Sequence, residues 1–131
     1  MGQYNAPLRD IQFVMHELLN VVDDFKAMPK HAEIDVDTIN AVLEEGGKFA
    51  SEVLLPLNIS GDTEGCHYDA TSRAVTTPAG YKDAYAQYVA GGWPALACEP
   101  EFGGQGLPLI LNQCLYEMMN SANQAWTMYP G

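Results

Sequence analysis

An all-α domain of four helices, with one possible short β-hairpin near residues 66–76, is what this sequence predicts, on three observations. Apolar residues recur at spacings of three and four in four separate windows. Pro, Asp or Thr-Pro stands where each window opens, and Gly or Pro stands where it closes. The chain has 131 residues, enough for one domain that buries roughly two-thirds of its unfolded surface.

The first helix follows Asn5-Ala6-Pro7, with Pro7 suited to a first turn. Leu8, Ile11, Met15, Leu18 and Val22 make its stripe, Val14 and Leu19 widen it, and Met28-Pro29-Lys30 closes it. The second helix opens at Asp35, a side chain able to cap free backbone N–H groups. Val36, Ile39, Leu43, Ala50, Val53 and Leu57 form its face, and Pro56 is expected to end it. Gly46-Gly47 falls inside the pattern at a cost of about 1 kcal/mol per glycine. Close contact with a neighbouring backbone would account for the pair; a break in the helix is the competing reading.

Residues 58–77 are rich in turn signals. His67-Tyr68 and Ala74-Val75-Thr76 can pair as a hairpin across Asp69–Arg73. Thr77-Pro78 reads as the cap and first turn of a third helix, with Tyr81, Ala84, Tyr85 and Tyr88 on its face. Gly91-Gly92 and Trp93-Pro94 end it. Gly103, Gly104 and Gly106 then form a structural turn, and Pro108 starts a fourth helix carrying Leu111, Cys114, Leu115, Met118 and Ala122.

Charge narrows the function. The net charge is −11, from 17 acidic and 6 basic residues, which disfavours nucleic acid and anionic membranes as partners. No stretch has the length and apolarity of a membrane span, and no secretory leader opens the chain. Met1-Gly2 lacks the Ser or Thr at position 6 that myristoylation would require, since Ala6 stands there. Three cysteines without C-x-x-C spacing read as reduced thiols of a cytoplasmic protein.

From Phe102 to Gly131 the only charged residue is Glu117. A surface helix normally carries a charged face. The fourth helix is therefore expected to be covered by material outside this chain.

No complete active site is legible. The glycine turn matches neither phosphate-binding motif and no Lys or Arg follows it. His31, Glu33, Asp35 and Asp37 read as helix capping, because a calcium loop would need a central glycine and a later glutamate. Cys66-His67 lacks a second ligand pair, so no metal site is assigned. His16 is placed at the polar edge of the first helix. Asp23-Asp24 and Glu44-Glu45 read as solvated faces, and the tyrosine stripe as core.

Pro100-Glu101-Phe102-Gly103-Gly104-Gln105-Gly106-Leu107-Pro108, preceded by Gly91-Gly92-Trp93-Pro94, resembles the acyl-CoA dehydrogenase family. Pro56-Leu57-Asn58, Gly61-Asp62-x-Glu64-Gly65, Thr77-Pro78-x-Gly80-Tyr81-Lys82-x-Ala84-Tyr85, Ser121-Ala122-Asn123 and Tyr129-Pro130-Gly131 are similar to a bacterial subfamily that includes methylthiopropionyl-CoA dehydrogenases. The resemblance implies residues 1–34 as an N-terminal helical extension and 35–131 as the N-terminal helical domain of a longer enzyme. It implies FAD, an acyl-CoA substrate, an electron-transfer flavoprotein, the remaining domains of the polypeptide and a homo-oligomer.

The proton-abstracting glutamate and most flavin contacts belong to other domains of that family, so no catalytic residue is assigned and no cofactor is expected on this chain alone. An acyl-CoA oxidase is not separable from a dehydrogenase on these residues. By resemblance this part supplies one wall of the acyl pocket, with Trp126, Met128 and Tyr129 as candidates; ordinary interdomain core is the competing reading for each. A free-standing helical interaction module is the alternative from another class. With its fourth helix bare, the isolated chain is expected to self-associate. Light scattering at high concentration checks this, and a clean monomer counts against it.

Overall fold

Two long helical runs, residues 36–64 and 109–127, meet along their apolar faces and form the centre of the core. The computed structural model describes residues 3–130. Met1-Gly2 and Gly131, the last residue of the Tyr-Pro-Gly match, lie outside them.

In chain order the elements are α1 (Leu8–Gln12), a π-helical turn (Phe13–Leu18), α2 (Val21–Lys26), α3 (Val36–Lys48), a second π-helical turn (Phe49–Leu54) and α4 (Leu55–Glu64). Then come β1 (His67–Tyr68), β2 (Val75–Thr76), α5 (Tyr81–Ala90), two 3₁₀ turns (Trp93–Ala95 and Pro100–Phe102) and α6 (Leu109–Thr127). The chain is helical apart from one small antiparallel hairpin, as the sequence predicts.

The first helix is not one helix. After the π-helical turn Asn20 takes a left-handed conformation, φ 51°, which short polar side chains tolerate, and α2 starts afresh. The expected stripe is broken with it. Met15 is buried, but Leu18 is 66% exposed and Val14 and Leu19 also face solvent. His16, expected at a polar edge, is half-buried; its Nε2 lies 2.8 Å from Asn40 Oδ1 on α3.

The second helix begins as expected. Asp35 accepts a hydrogen bond from the Thr38 N–H at 2.8 Å, and that bond holds its carboxyl below the usual range. Pro56 does not end the run. The π-helical turn adds a residue to the ladder, and α-helical bonding restarts at Leu55. Pro56 thereby falls in a first turn, where a missing N–H costs little. The run continues to Glu64, so residues 58–64 are helix rather than turn.

Gly46-Gly47 is continuous helix, and its closest neighbours are side chains rather than backbone. A Cβ on Gly46 would lie 3.0 Å from Leu115 Cδ1, and one on Gly47 would lie 3.1 Å from Ala6 Cβ. The two glycines admit α6 on one side and the N-terminal segment on the other.

The hairpin pairs His67 with Thr76 and Tyr68 with Val75. Asp69 Oδ1 closes its loop by accepting from the N–H groups of Thr71 and Ser72 at 2.8 and 2.9 Å. Thr77 does not cap the third helix. Pro78 and Ala79 complete a turn, Gly80 follows at φ 84°, and α5 starts at Tyr81. Ala84 and Tyr88 enter the core, Tyr81 is half-buried and Tyr85 is 52% exposed, so the tyrosine stripe is core on only one side.

The glycine corner turns the chain into α6. Gly103 and Gly106 have φ of 84° and 65°, and a Cβ on Gly104 would sit 2.0 Å from the Cys98 carbonyl oxygen. The amides of residues 103–107 donate to the carbonyls of Pro100, Glu99, Ala95, Cys98 and Leu96 in turn. The corner is a knot of its own hydrogen bonds.

The expectation that α6 is bare is corrected. Leu111, Leu115, Met118, Met119, Ala122 and Trp126 are buried against Ile39, Leu43, Ala50 and Leu54. Met15, Val21 and Phe25 of the first 34 residues join the same cluster. Lys30 pairs with Glu99 beside the corner. Much of the missing charge is thus explained by burial inside this chain; Leu109, Tyr116, Met128 and Tyr129 remain exposed. Among the described residues no helix is long and apolar enough to cross a membrane.

Gly104→Ala pushes a methyl into backbone and should cost about 2–3 kcal/mol. Gly103→Ala, with open space around its Cβ, should cost only the left-handed penalty of about 1 kcal/mol. Urea unfolding of the two variants checks the order, and equal losses would contradict the close approach at Gly104.

Candidate functional site

The last turn of α6 departs from the helix that precedes it. Asn123 is non-helical, φ −159° and ψ 86°, although it sits between helical residues and is only 1% exposed. Its side-chain oxygen accepts from the Trp126 N–H at 3.0 Å, as an N-cap would. Its amide nitrogen donates to the Leu54 carbonyl at 3.1 Å, across the interface at the end of the second π-helical turn. The Thr127 hydroxyl donates back to the Asn123 carbonyl at 2.8 Å.

This break aims Trp126 inward. Its ring lies edge-on to Phe49 and to Tyr88, with centroids 6.0 and 5.6 Å away. Its Nε1–H donates to the Tyr81 carbonyl at 3.2 Å. The Tyr88 hydroxyl in turn donates to the Pro130 carbonyl at 3.3 Å and ties down the end of the described chain. Burial, helped by Tyr85 and Tyr116, raises the Tyr88 pKa, so this phenol keeps its proton at neutral pH and acts as a donor.

In front of Trp126 lies an apolar cleft of about 590 Å³. Tyr81, Lys82 and Tyr85 of α5 form one side; Ala125 and Trp126 of α6, with Tyr129 and Pro130, form the other. Cys66 and Thr77, at the base of the hairpin, close the end. Lys82 is the one cation among these residues. A second depression of similar size, between the second π-helical turn and α5, is rimmed by Glu45, Lys48 and Glu52, and Lys48 is already paired with Glu45. The aromatic cleft is the better ligand site, because it joins apolar walls to few polar groups.

The sequence candidates divide here. Trp126, 4% exposed, is the rear wall and part of the core; Tyr129, 87% exposed, is the rim; Met128 is exposed but does not line the cleft. Tyr81, Lys82 and Tyr85 were not among the pocket candidates. Their spacing, two tyrosines four apart with a lysine between, was the available signal, but it looks the same for a core stripe.

The remaining candidates take structural places. Asp35 caps α3, and His31 meets the Phe25 ring edge-on at 5.9 Å. Among the described residues no group of three or more His, Cys, Asp or Glu is gathered as a metal site would need. Cys66 and Cys98 are exposed free thiols; Cys114 is half-buried, and burial raises its pKa, with Glu117 adding to the effect.

Against known proteins, 127 residues of the chain, 97% of it, are 39% identical to 3-methylmercaptopropionyl-CoA dehydrogenase of Ruegeria pomeroyi. All 131 residues are 27% identical to the broad-specificity linear acyl-CoA dehydrogenase FadE5 of Mycobacterium tuberculosis. The chain resembles acyl-CoA dehydrogenases. Butyryl-CoA dehydrogenase of Syntrophomonas wolfei is 27% identical over 127 residues. No family model matches the chain. The chain spans about a fifth, 21%, of the length of each of these acyl-CoA dehydrogenases. The match to the mycobacterial enzyme runs over the whole chain and so includes every residue of the cleft.

Proposed function

We propose that this chain is the N-terminal helical part of a flavin-dependent acyl-CoA dehydrogenase, and that its aromatic cleft is one wall of the acyl pocket. In this reading residues 35–131 are the helical domain and residues 1–34 an extension that covers one flank of α6. The observation that carries the reading is an apolar cleft with a single cation, inside a chain similar over 97% of its length to 3-methylmercaptopropionyl-CoA dehydrogenase.

The chemistry of the walls suits an acyl tail. Each methylene removed from water contributes about 0.8 kcal/mol, and flat aromatic walls give that burial without ordering flexible side chains. Trp126, fixed by its indole bond to Tyr81 and its rings on both sides, sets the depth. Tyr129 and Tyr85 stand at the rim, where they exclude water from what lies below.

The residues present do not fit the charged part of a flavin dinucleotide. Lys82 is alone in the cleft, and the amides of the glycine corner already donate internally. FAD, which accepts the hydride in this reaction class, is therefore assigned to other parts of the enzyme. So are the general base, the grip on CoA phosphates, the contact with an electron-transfer flavoprotein, and the surfaces of a homo-oligomer. This chain contributes exclusion of water and a fixed apolar surface.

Purified alone, the chain should be colourless and should not reduce an electron acceptor in the presence of an acyl-CoA; a yellow, active preparation would overturn the assignment. In the longer enzyme, Tyr129→Ala should raise KM for acyl-CoA several-fold with a smaller change in kcat. An unchanged KM would make the cleft interdomain packing instead.

A further inference from the structure

Asn123 asks for an explanation that helix propensity does not give. A residue in the interior of a 19-residue helix normally continues the hydrogen-bond ladder. Here the ladder is interrupted on the buried face of the helix, and a polar side chain that is itself buried fills the interruption. Both ends of that side chain are used. Trp126 N–H needs an acceptor, and the Leu54 carbonyl receives a donor. A neutral amide supplies both; a carboxylate supplies only acceptors and would bury a charge.

What the interruption moves is the cleft wall. Trp126 and Thr127 are both bonded to Asn123, and Met128 N–H donates to Gln124 within the same final turn. Trp126 then reaches the Tyr81 carbonyl, and Tyr129 and Pro130 follow it to the rim. A straight continuation of α6 would keep the ladder but lose the cap that orients this turn. The partner across the interface is also specific. Leu54 closes the second π-helical turn, so an irregularity in one helix is latched to an irregularity in the other.

We infer that Asn123 is a positioning residue for the aromatic cleft: it latches the end of α6 to the Leu54 carbonyl and caps the turn that places Trp126 and Tyr129. The claim deepens the proposed acyl wall, resting on that reading only for what the cleft holds. The geometry of the wall is tested without any acyl ligand, so the two can fail separately.

The chain has two tryptophans, Trp93 and Trp126, and hence two indole N–H resonances, one serving as the internal control. In the unaltered protein the Trp126 indole proton should exchange with solvent at least tenfold more slowly than that of Trp93. Asn123→Ala should move the Trp126 resonance toward the free-indole position and remove that protection, leaving Trp93 unmoved. Asn123→Ser keeps a capping oxygen and should restore most of the shift. The inference is overturned if Trp126 is unprotected in the unaltered protein, if folded Asn123→Ala leaves its resonance in place, or if Asn123→Ser moves it as far as alanine does. Should Asn123→Ala fail to fold, the protection measurement and the serine variant still decide.

Discussion

The packing of α6 into the α3–α4 run is the constraint from which the rest of the molecule follows. Gly46 has no side chain, and that lets Leu115 and Met118 approach the α3 backbone closely. Around that point Ile39, Leu43, Leu54, Leu111 and Met119 are all essentially inaccessible to solvent. Each such side chain is worth about 1.5–3 kcal/mol of burial, whereas the exposed ion pairs Arg9–Glu17 and Lys26–Asp23 belong to a class worth about 0–1 kcal/mol each. Packing therefore decides the fold, and the surface charge tunes it. The segment before α3, the corner and α5 each take their place by touching this helix pair.

That constraint also changes the meaning of the final thirty residues, in which Glu117 is the only charged side chain. They are poor in charge first because α6 is the central helix of this chain, with α3 and α4 packed along it and Met15 in the same core. Tyr4 lies close enough to Ser121 and Glu117 for both to act on its phenol, although burial is the main reason that its pKa is raised. Among the described residues of this stretch, Phe102, Leu109, Tyr116, Met128 and Tyr129 carry the surplus of exposed apolar surface that a further partner would cover. The last of these borders the aromatic cleft, so the surface that calls for a neighbour and the cleft run into one another.

How much was legible follows from where the information lies. Helix starts with a local chemical cause, such as the Asp35 cap, were readable, and so were the hairpin and the Gly-Gly stop before Trp93. These depend on a few adjacent residues. The two π-helical turns were not readable, since an apolar period of 3.6 does not announce one added residue, and the passage through Pro56 depends on such a turn. The split at Asn20 and the break at Asn123 were hidden for a related reason: an asparagine in a helical window is ordinary until its tertiary partner is known. Trp126 and Tyr129, named through resemblance, both line the aromatic cleft. Tyr81, Lys82 and Tyr85 were missed because a stripe facing a cleft and a stripe facing a core share one spacing.

Hydrogen exchange under native conditions tests the central role of α6 most directly. If this helix is the piece on which the others are assembled, the amides of Leu111–Ala122 should exchange only through global unfolding, with the free energy found by urea denaturation, while Phe13–Leu19 exchange through a local opening. Exchange of the α6 amides through a local opening, with α3 still protected, would contradict the account.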